Sequence, residues 1–209
     1  MDDNQKHLED LSHIRNLMDR SSRFISLSGL SGVFAGIYAI IGAAVVYYDV
    51  TDSYTRIVKF TSDSYNQDGK LIFLVSVAMI VLVASLVTGY LFTSRKAKKE
   101  GLKVWDKSSK QMLFSLMYPL VTGGILCVIM LKHGLFGFVA PMTLIFYGMG
   151  LLSASKHSFV ELKYLGITEI VLGLLGVWFY GYGLLFWTIG FGVMHIFYGG
   201  LMYYKYERK

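Results

Sequence analysis

Two ionisable side chains, Glu169 and His195, lie inside long apolar segments, whereas the other charged residues fall between such segments or at the chain ends. A carboxyl and an imidazole can handle a proton near neutral pH. Ionisable groups in an apolar environment are costly unless they are paired or reach water. These residue types therefore predict either a mutual polar contact or a proton-handling site.

The spacing of Glu169 and His195 predicts that they meet. If the turn between their segments is centred on Tyr182, Glu169 comes thirteen residues before it and His195 thirteen after it. At about 1.5 Å per helical residue, both lie roughly 20 Å below the turn. One stripe of the helix that contains Glu169 consists of Gly166, Glu169, Gly173, Gly176 and Tyr180. The matching stripe of the helix that contains His195 consists of Thr188, Gly192, His195, Gly199 and Met202. We expect these stripes to bring both polar groups into a close helix contact.

Two interpretations of this polar pair remain open. In the structural one, the two side chains satisfy each other and fix the register of two apolar helices. In the functional one, they form a proton relay, a pH sensor or the polar end of a solute site. The candidate polar neighbours are Tyr118, Tyr147, Thr188 and Tyr198.

Other chemistry-bearing patterns are missing from the sequence. It contains no paired-carboxylate, HExxH, GxSxG or phosphate-loop arrangement. Its single cysteine, Cys127, lies inside an apolar segment and is expected to be a small packing residue. We therefore predict no catalytic residue, no metal site and no cofactor, and we expect that the protein is not an enzyme.

The elements that must position the pair are six apolar segments. They cover residues 24–48, 71–93, 112–131, 135–154, 164–180 and 184–204. Each is close to the ~20 apolar residues that a helix needs to cross a bilayer. The sequence thus predicts an all-α, polytopic membrane protein with six transmembrane helices arranged as three hairpins.

The basic residues predict the orientation. Sixteen of the 20 Lys and Arg residues fall in 1–23, 94–110, 155–163 and 205–209, which alternate with the remaining loops. By the positive-inside rule these segments are cytoplasmic, so we expect a bacterial inner-membrane protein with both termini in the cytoplasm. The basic loop 94–110 directly follows an apolar segment, which favours anionic lipid headgroups as its partner and argues against nucleic acid.

We divide the chain into a cytoplasmic segment, 1–23, and a transmembrane domain, 24–209. In the first, Leu8, Leu11, Ile14 and Met18 alternate with charged residues at helical spacing, which predicts an amphipathic helix. This helix either lies on the inner membrane surface or forms a docking surface for a cytoplasmic partner or second subunit.

Small residues predict where helices approach closely. The first apolar segment carries Ser28, Gly32 and Gly36 at helical spacing, and such stripes allow close backbone contact. With them we assign Gly173, Gly176, Gly192 and Gly199 to helix packing. We also expect the protein to form a homo-oligomer.

Part of the sequence reads as a repeat. The tetrapeptide at 145–148, IFYG, recurs at 196–199, and the tripeptide at 134–136 recurs loosely at 183–185. The third and fourth apolar segments thus match the fifth and sixth, and the first two fit as a more diverged copy. The predicted hairpin repeats are parallel in orientation. Chance matching of aromatic and glycine-rich segments is the alternative.

The stretches 165–176 (LGITEIVLGLLG) and 190–200 (GFGVMHIFYGG) resemble the glycine-punctuated hairpin repeat of six-span bacterial acid-resistance membrane proteins. That resemblance implies a compact six-helix inner-membrane protein without known catalytic residues. It carries over no site residue, and it covers neither the N-terminal helix nor the long basic loop.

The function expected from these observations is non-enzymatic, with a structural, stress-related or regulatory role in the inner membrane. The alternative is a small proton-linked transporter or channel that uses the Glu169/His195 level as its polar site. A lipid-binding or lipid-modifying intramembrane enzyme is a third hypothesis, weakened by the lack of a second acid or base cluster.

Overall fold

The computed structural model describes residues 27–59, 67–101 and 104–208, and these form helices joined by short connections. The first five helices are α1 (Gly29–Lys59), α2 (Gln67–Lys99), α3 (Lys107–Lys132), α4 (Phe136–Ala154) and α5 (Val160–Trp178). The last span, Gly183–Tyr206, joins α6 (Gly183–Trp187), a π-helical segment (Thr188–Met194) and α7 (His195–Tyr206) without a break. The described residues contain no strand.

The predicted all-α class is confirmed, and five helices are long and apolar enough to cross a membrane. They are Gly29–Tyr48, Leu71–Lys99, Lys107–Lys132, Phe136–His157 and Gly183–Tyr206. The fifth predicted segment, 164–180, corresponds to α5, whose 19 residues include Glu161, Lys163 and Glu169. The other helices each have a long stretch without Asp, Glu, Lys or Arg, whereas these three charges leave α5 with no such stretch. The predicted amphipathic helix, 1–23, lies outside the described residues.

Local sequence explains several helix ends. Asp106 begins α3 with a capping box, in which its carboxylate accepts from the Ser109 backbone N–H while the Ser109 hydroxyl accepts from the Asp106 N–H. Gly134 and Gly181 stand in the turns after α3 and α5 with φ of 73° and 96°. Only glycine adopts such values without strain, so both turns can be short.

The helices pack as two close pairs flanked by two outer helices. The first pair is α1 with the last span, and the second pair is α4 with α5. Outside them, α2 packs against α1 and α3 against α4. The two pairs meet where α5 contacts the last span and α4 contacts α6.

Glycines explain the closeness of the first pair. A β-carbon on Gly36 would lie 2.5 Å from the Gly192 carbonyl oxygen, and one on Gly32 would lie 3.2 Å from the Gly199 α-carbon. The predicted stripe on α1 therefore contacts the last span of the same chain. Ser28, the first residue of that stripe, is buried where α1 begins.

The second pair uses the same device. A β-carbon on Gly148 would lie 2.5 Å from the Gly166 carbonyl oxygen, and one on Gly173 would lie 2.8 Å from the Pro141 carbonyl oxygen. A β-carbon on Gly176 would lie 3.1 Å from the Pro141 ring. The glycines of α5 thus approach α4, whereas we expected them to face the last span. Because a residue three positions on is rotated by about 60° around the helix, Glu169 lies beside this glycine stripe and remains free to face another helix.

A candidate polar site between the helix pairs

Glu169 and His195 face each other at the junction of the two pairs. The His195 Nδ1 atom lies 3.3 Å from Glu169 Oε1. The same nitrogen lies 3.0 Å from the Gly190 carbonyl oxygen, one π-turn earlier in the last span. Glu169 is supplied by α5 and His195 by the first residue of α7, so this contact joins one helix of each pair.

Tyr147, on α4, completes a triad with these two residues. Its hydroxyl lies 2.9 Å from His195 Nε2. Because a carbonyl oxygen can only accept, the contact with Gly190 assigns a proton to Nδ1 of the imidazole. A neutral ring then accepts from the Tyr147 hydroxyl through Nε2, whereas a protonated ring donates to it. The imidazole is thus held from both sides by groups on three helices.

Aromatic rings surround the imidazole. His195 stacks on Tyr147 with ring centroids 5.4 Å apart and on Phe191 with centroids 5.7 Å apart. Phe191 also contacts Tyr147 at 4.9 Å and Trp187 at 5.1 Å. These rings limit the positions that the imidazole can take, which fixes its nitrogen atoms relative to Glu169.

The Glu169 carboxyl is fully enclosed. Its side chain is 0% exposed, and that of His195 is 8% exposed. Both Glu169 carboxyl oxygens are buried and make no hydrogen bond to the described residues. Buried carboxyl oxygens ordinarily accept hydrogen bonds, and the N–H group that faces Glu169 is Nδ1 of His195, 3.3 Å from Oε1.

Gly190 leaves the space that the carboxyl occupies. A β-carbon at this position would overlap Glu169 Oε2 and lie 2.6 Å from Leu144, which is itself fully buried. Gly190 belongs to the π-helical segment Thr188–Met194, and such segments are frequent at functional sites. The extra residue per turn lets the Gly190 carbonyl receive the imidazole of its own helix.

The other predicted polar neighbours lie elsewhere. Tyr118, on α3, is 74% exposed and faces away from the bundle. The Thr188 hydroxyl donates to the Leu184 carbonyl of its own helix. Tyr198, on α7, has its hydroxyl 3.5 Å from that of Thr168 on α5, one residue from Glu169. Of the four, Tyr147 is the one whose hydroxyl hydrogen-bonds to the imidazole.

Two charged clusters missed by the sequence reading lie at the end of the bundle where α1 begins and α7 ends. In one, the buried Glu161 carboxylate accepts from Lys205 at 2.7 Å and from the Tyr206 hydroxyl at 3.1 Å. Burial raises the Glu161 pKa, but these hydrogen bonds outweigh it, so the pKa lies below its ordinary value. No motif marks this contact, because its members are 44 and 45 residues apart.

In the second cluster, Glu207 accepts from the Ser28 hydroxyl at 3.0 Å and from the Gly29 backbone N–H at 2.5 Å. The carboxylate also lies 3.5 Å from Lys96 Nζ of α2. A carboxylate at a helix N-terminus satisfies free N–H groups and interacts favourably with the helix dipole. Ser28 therefore serves as a polar anchor for the C-terminal residues.

The described residues hold no group of three or more His, Cys, Asp or Glu that could bind a metal ion. Cys127 is buried and makes no disulfide. No family model, curated protein or solved structure matches the chain. The resemblance to acid-resistance membrane proteins therefore stays a prediction.

Proposed function

We propose that the chain is a six-span protein of a bacterial inner membrane, in which α5 crosses the membrane as the fifth span in spite of its three charges. The α5 helix supports this because it runs antiparallel to both α4 and the last span, with short turns at either end. The orientation rests on the basic residues, sixteen of which fall on the side assigned to the cytoplasm. Both termini then face the cytoplasm.

The role proposed for this protein is non-enzymatic and structural, stress-related or regulatory. The observation that carries it is the burial of Glu169, whose side chain is 0% exposed and faces an imidazole held by two further hydrogen-bonding groups. A buried polar contact among α4, α5 and α7 specifies how otherwise apolar helices pair. The resemblance to acid-resistance membrane proteins is consistent with a role under stress.

Two substitutions of Glu169 test this role. Glu169→Gln should be mild, because an amide oxygen can still face the imidazole. Glu169→Leu should lower the free energy of unfolding by about 1–3 kcal/mol, because it leaves a buried polar partner without its contact. Unfolding of the purified protein in detergent measures both, with Val171→Leu, a substitution on the exposed face of α5, as the control. Equal stability of wild type and Glu169→Leu would contradict the structural role.

The second candidate is a small proton-linked transporter or channel. It is favoured by the two Glu169 oxygens, which are buried and make no hydrogen bond to the described residues. On this hypothesis Glu169→Gln should abolish proton flux into liposomes while stability changes little. Flux that is absent from wild-type liposomes as well would remove this candidate.

Further proposals concern partners. Anionic lipid headgroups suit the basic loop 94–110, of which residues 94–101 and 104–110 are described. Self-association as a homo-oligomer would use faces other than the glycine stripe of α1, because that stripe contacts the last span. A cytoplasmic protein partner at the N-terminal helix, 1–23, is the alternative to a surface-bound helix.

A further inference from the structure

The two helix pairs repeat the same glycine contacts. A β-carbon on Gly36 would meet the Gly192 carbonyl and the side chain and nitrogen of Ile196; one on Gly148 would meet the Gly166 carbonyl and the same atoms of Ile170. In sequence, Ile196 follows Gly192 by four residues, and Ile170 follows Gly166 by four. The close contact of Gly36 with the last span therefore has a counterpart in that of Gly148 with α5.

A second level of contacts follows seven residues further along. A β-carbon on Gly199 would meet the Gly29 carbonyl and the Val33 nitrogen. One on Gly173 would meet the Pro141 carbonyl and the Ile145 nitrogen. The correspondence thus covers two turns of each helix, with α1 matching α4 and the last span matching α5.

The helices that match each other, α1 with α4 and the last span with α5, run in opposite directions. The contacts of Gly29 with residues 199–203 and of Gly36 with residues 192–196 make α1 antiparallel to the last span. Likewise α4 is antiparallel to α5, and the turn at 179–182 makes α5 antiparallel to the last span. The correspondence of α1 with α4 is therefore inverted, and a pseudo-two-fold axis lying in the membrane plane relates the pairs.

Glu169 and His195 occupy equivalent positions in this arrangement. Glu169 follows Gly166 by three residues, and His195 follows Gly192 by three. Their contact therefore lies on the pseudo-two-fold axis. In membrane proteins built from inverted halves, ligand and coupling-ion sites lie at such interfaces near the middle of the bilayer.

The chemistry of the enclosed groups selects the proton as the ligand. The titratable groups that face Glu169 are His195 from the last span and Tyr147 from α4. Tyr198 of α7 lies near them, with its hydroxyl 3.5 Å from that of Thr168, the residue before Glu169. The described part of α6 has no titratable residue, and Tyr38 of α1 faces Thr88 of α2. A single carboxylate with an imidazole and a phenol offers fewer oxygen ligands than Ca²⁺ or Mg²⁺ takes, and the described residues hold no group of three His, Cys, Asp or Glu for another metal ion.

We propose that Glu169 is a reversible proton-binding site whose occupancy controls how the two helix pairs associate. A proton from water adds to one carboxylate oxygen and forms the neutral acid. The Nδ1–H group of His195 continues to donate to the Gly190 carbonyl. The Glu169 carboxyl, however, no longer has the negative charge that attracts this N–H group across the junction. Protonation thus weakens the contact between the pairs while the glycine contacts within each pair remain. This inference rests on the proposed membrane-spanning arrangement. It adds a way in which pH regulates the protein, through the protonation of Glu169.

Infrared difference spectra of the full-length protein in lipid test the site. The spectra compare the protein at about pH 8 with the same protein at about pH 5. We expect one carboxylic-acid band that exchanges slowly in D2O, that is lost in Glu169→Gln, and that is kept at a shifted position in Glu169→Asp. Glu161→Gln, which alters a carboxyl at the end of the bundle, should keep the band.

A distance measurement then tests the control of association. Spin labels at Val171 on α5 and Val193 on the last span, both exposed, report the separation of the pairs. The wild-type separation should change with pH over the same range, and that of Glu169→Gln should not. Spectra that are identical in wild type and Glu169→Gln, or a separation independent of pH, would overturn the proposal. The structural role is judged separately, by the stability of Glu169→Leu at a single pH.

Discussion

Gly190 and Glu169 share one small space at the junction of the helix pairs, so that a β-carbon on Gly190 would overlap the carboxylate. The carboxyl can lie against the imidazole only because position 190 lacks a side chain. Two residues from different helices therefore depend on each other, although neither hydrogen-bonds to the other.

Gly190→Ala should destabilise the protein by about 1–3 kcal/mol, because the methyl group must displace the carboxyl or Leu144. Gly200→Ala is the matched control: it lies in α7, and a β-carbon there meets nothing within 4 Å. Thermal unfolding in detergent compares the two. If Gly190→Ala is as stable as Gly200→Ala, the carboxyl does not occupy the place described.

The depth of the polar pair could be predicted from the sequence, but the surroundings could not. Counting thirteen residues to either side of Tyr182 places Glu169 and His195 at one level, and the structure has them 3.3 Å apart. The glycine stripes were expected to face each other, yet they face α4 and α1. Residue spacing gives the face that a helix has, whereas it does not say which neighbour covers that face.

Tyr147 and Gly190 show what sequence periodicity leaves out. Tyr147 was one of four candidate neighbours, and only the tertiary arrangement distinguishes it from Tyr118 on an outer face. Gly190 was not a candidate, because a periodicity of 3.6 residues per turn does not include the π-helical segment that aims its carbonyl at His195. The sequence does contain one indication of the matching helix pairs: Gly166 and Gly173 in α5 are seven residues apart, as are Gly192 and Gly199 in the last span.

Tyr147→Phe should cost about 0.5–1.5 kcal/mol, because it removes one hydrogen bond to His195 Nε2 and leaves the ring stacking in place. Tyr118→Phe, on the exposed face of α3, should change stability by less than about 0.5 kcal/mol. Both are compared by unfolding in the same detergent. If Tyr118→Phe lowers stability as much as Tyr147→Phe does, the hydrogen bond from Tyr147 to His195 makes no specific contribution to stability.

Orientation in the membrane is tested with single cysteines at Tyr65 and Glu100 in a Cys127→Ser background. A maleimide that cannot cross membranes, added to spheroplasts, should label position 65 and spare position 100, because the basic segments are expected inside. Labelling after detergent lysis provides the control for reactivity. Equal labelling in intact spheroplasts would reject the assignment of 94–110 to the cytoplasm.

Glu161→Gln should destabilise the protein in a manner that depends on pH. The hydrogen bonds from Lys205 and Tyr206 hold the folded-state pKa of this buried carboxyl below its unfolded value, so the contact stabilises the fold above that value. This contribution is lost as the pH falls through the folded-state pKa.

The difference in unfolding free energy between wild type and Glu161→Gln should therefore be constant from about pH 8 to pH 5. It should shrink once the pH falls below the ordinary value of 4.5. Glu100→Gln, at an exposed carboxylate after the end of α2, should show little difference at any pH. Denaturation of the three proteins in detergent buffers across this range measures the effect. A Glu161→Gln difference that grows as the pH falls would show that the folded state favours the protonated carboxyl, and the cluster would then not hold Glu161 as an anion.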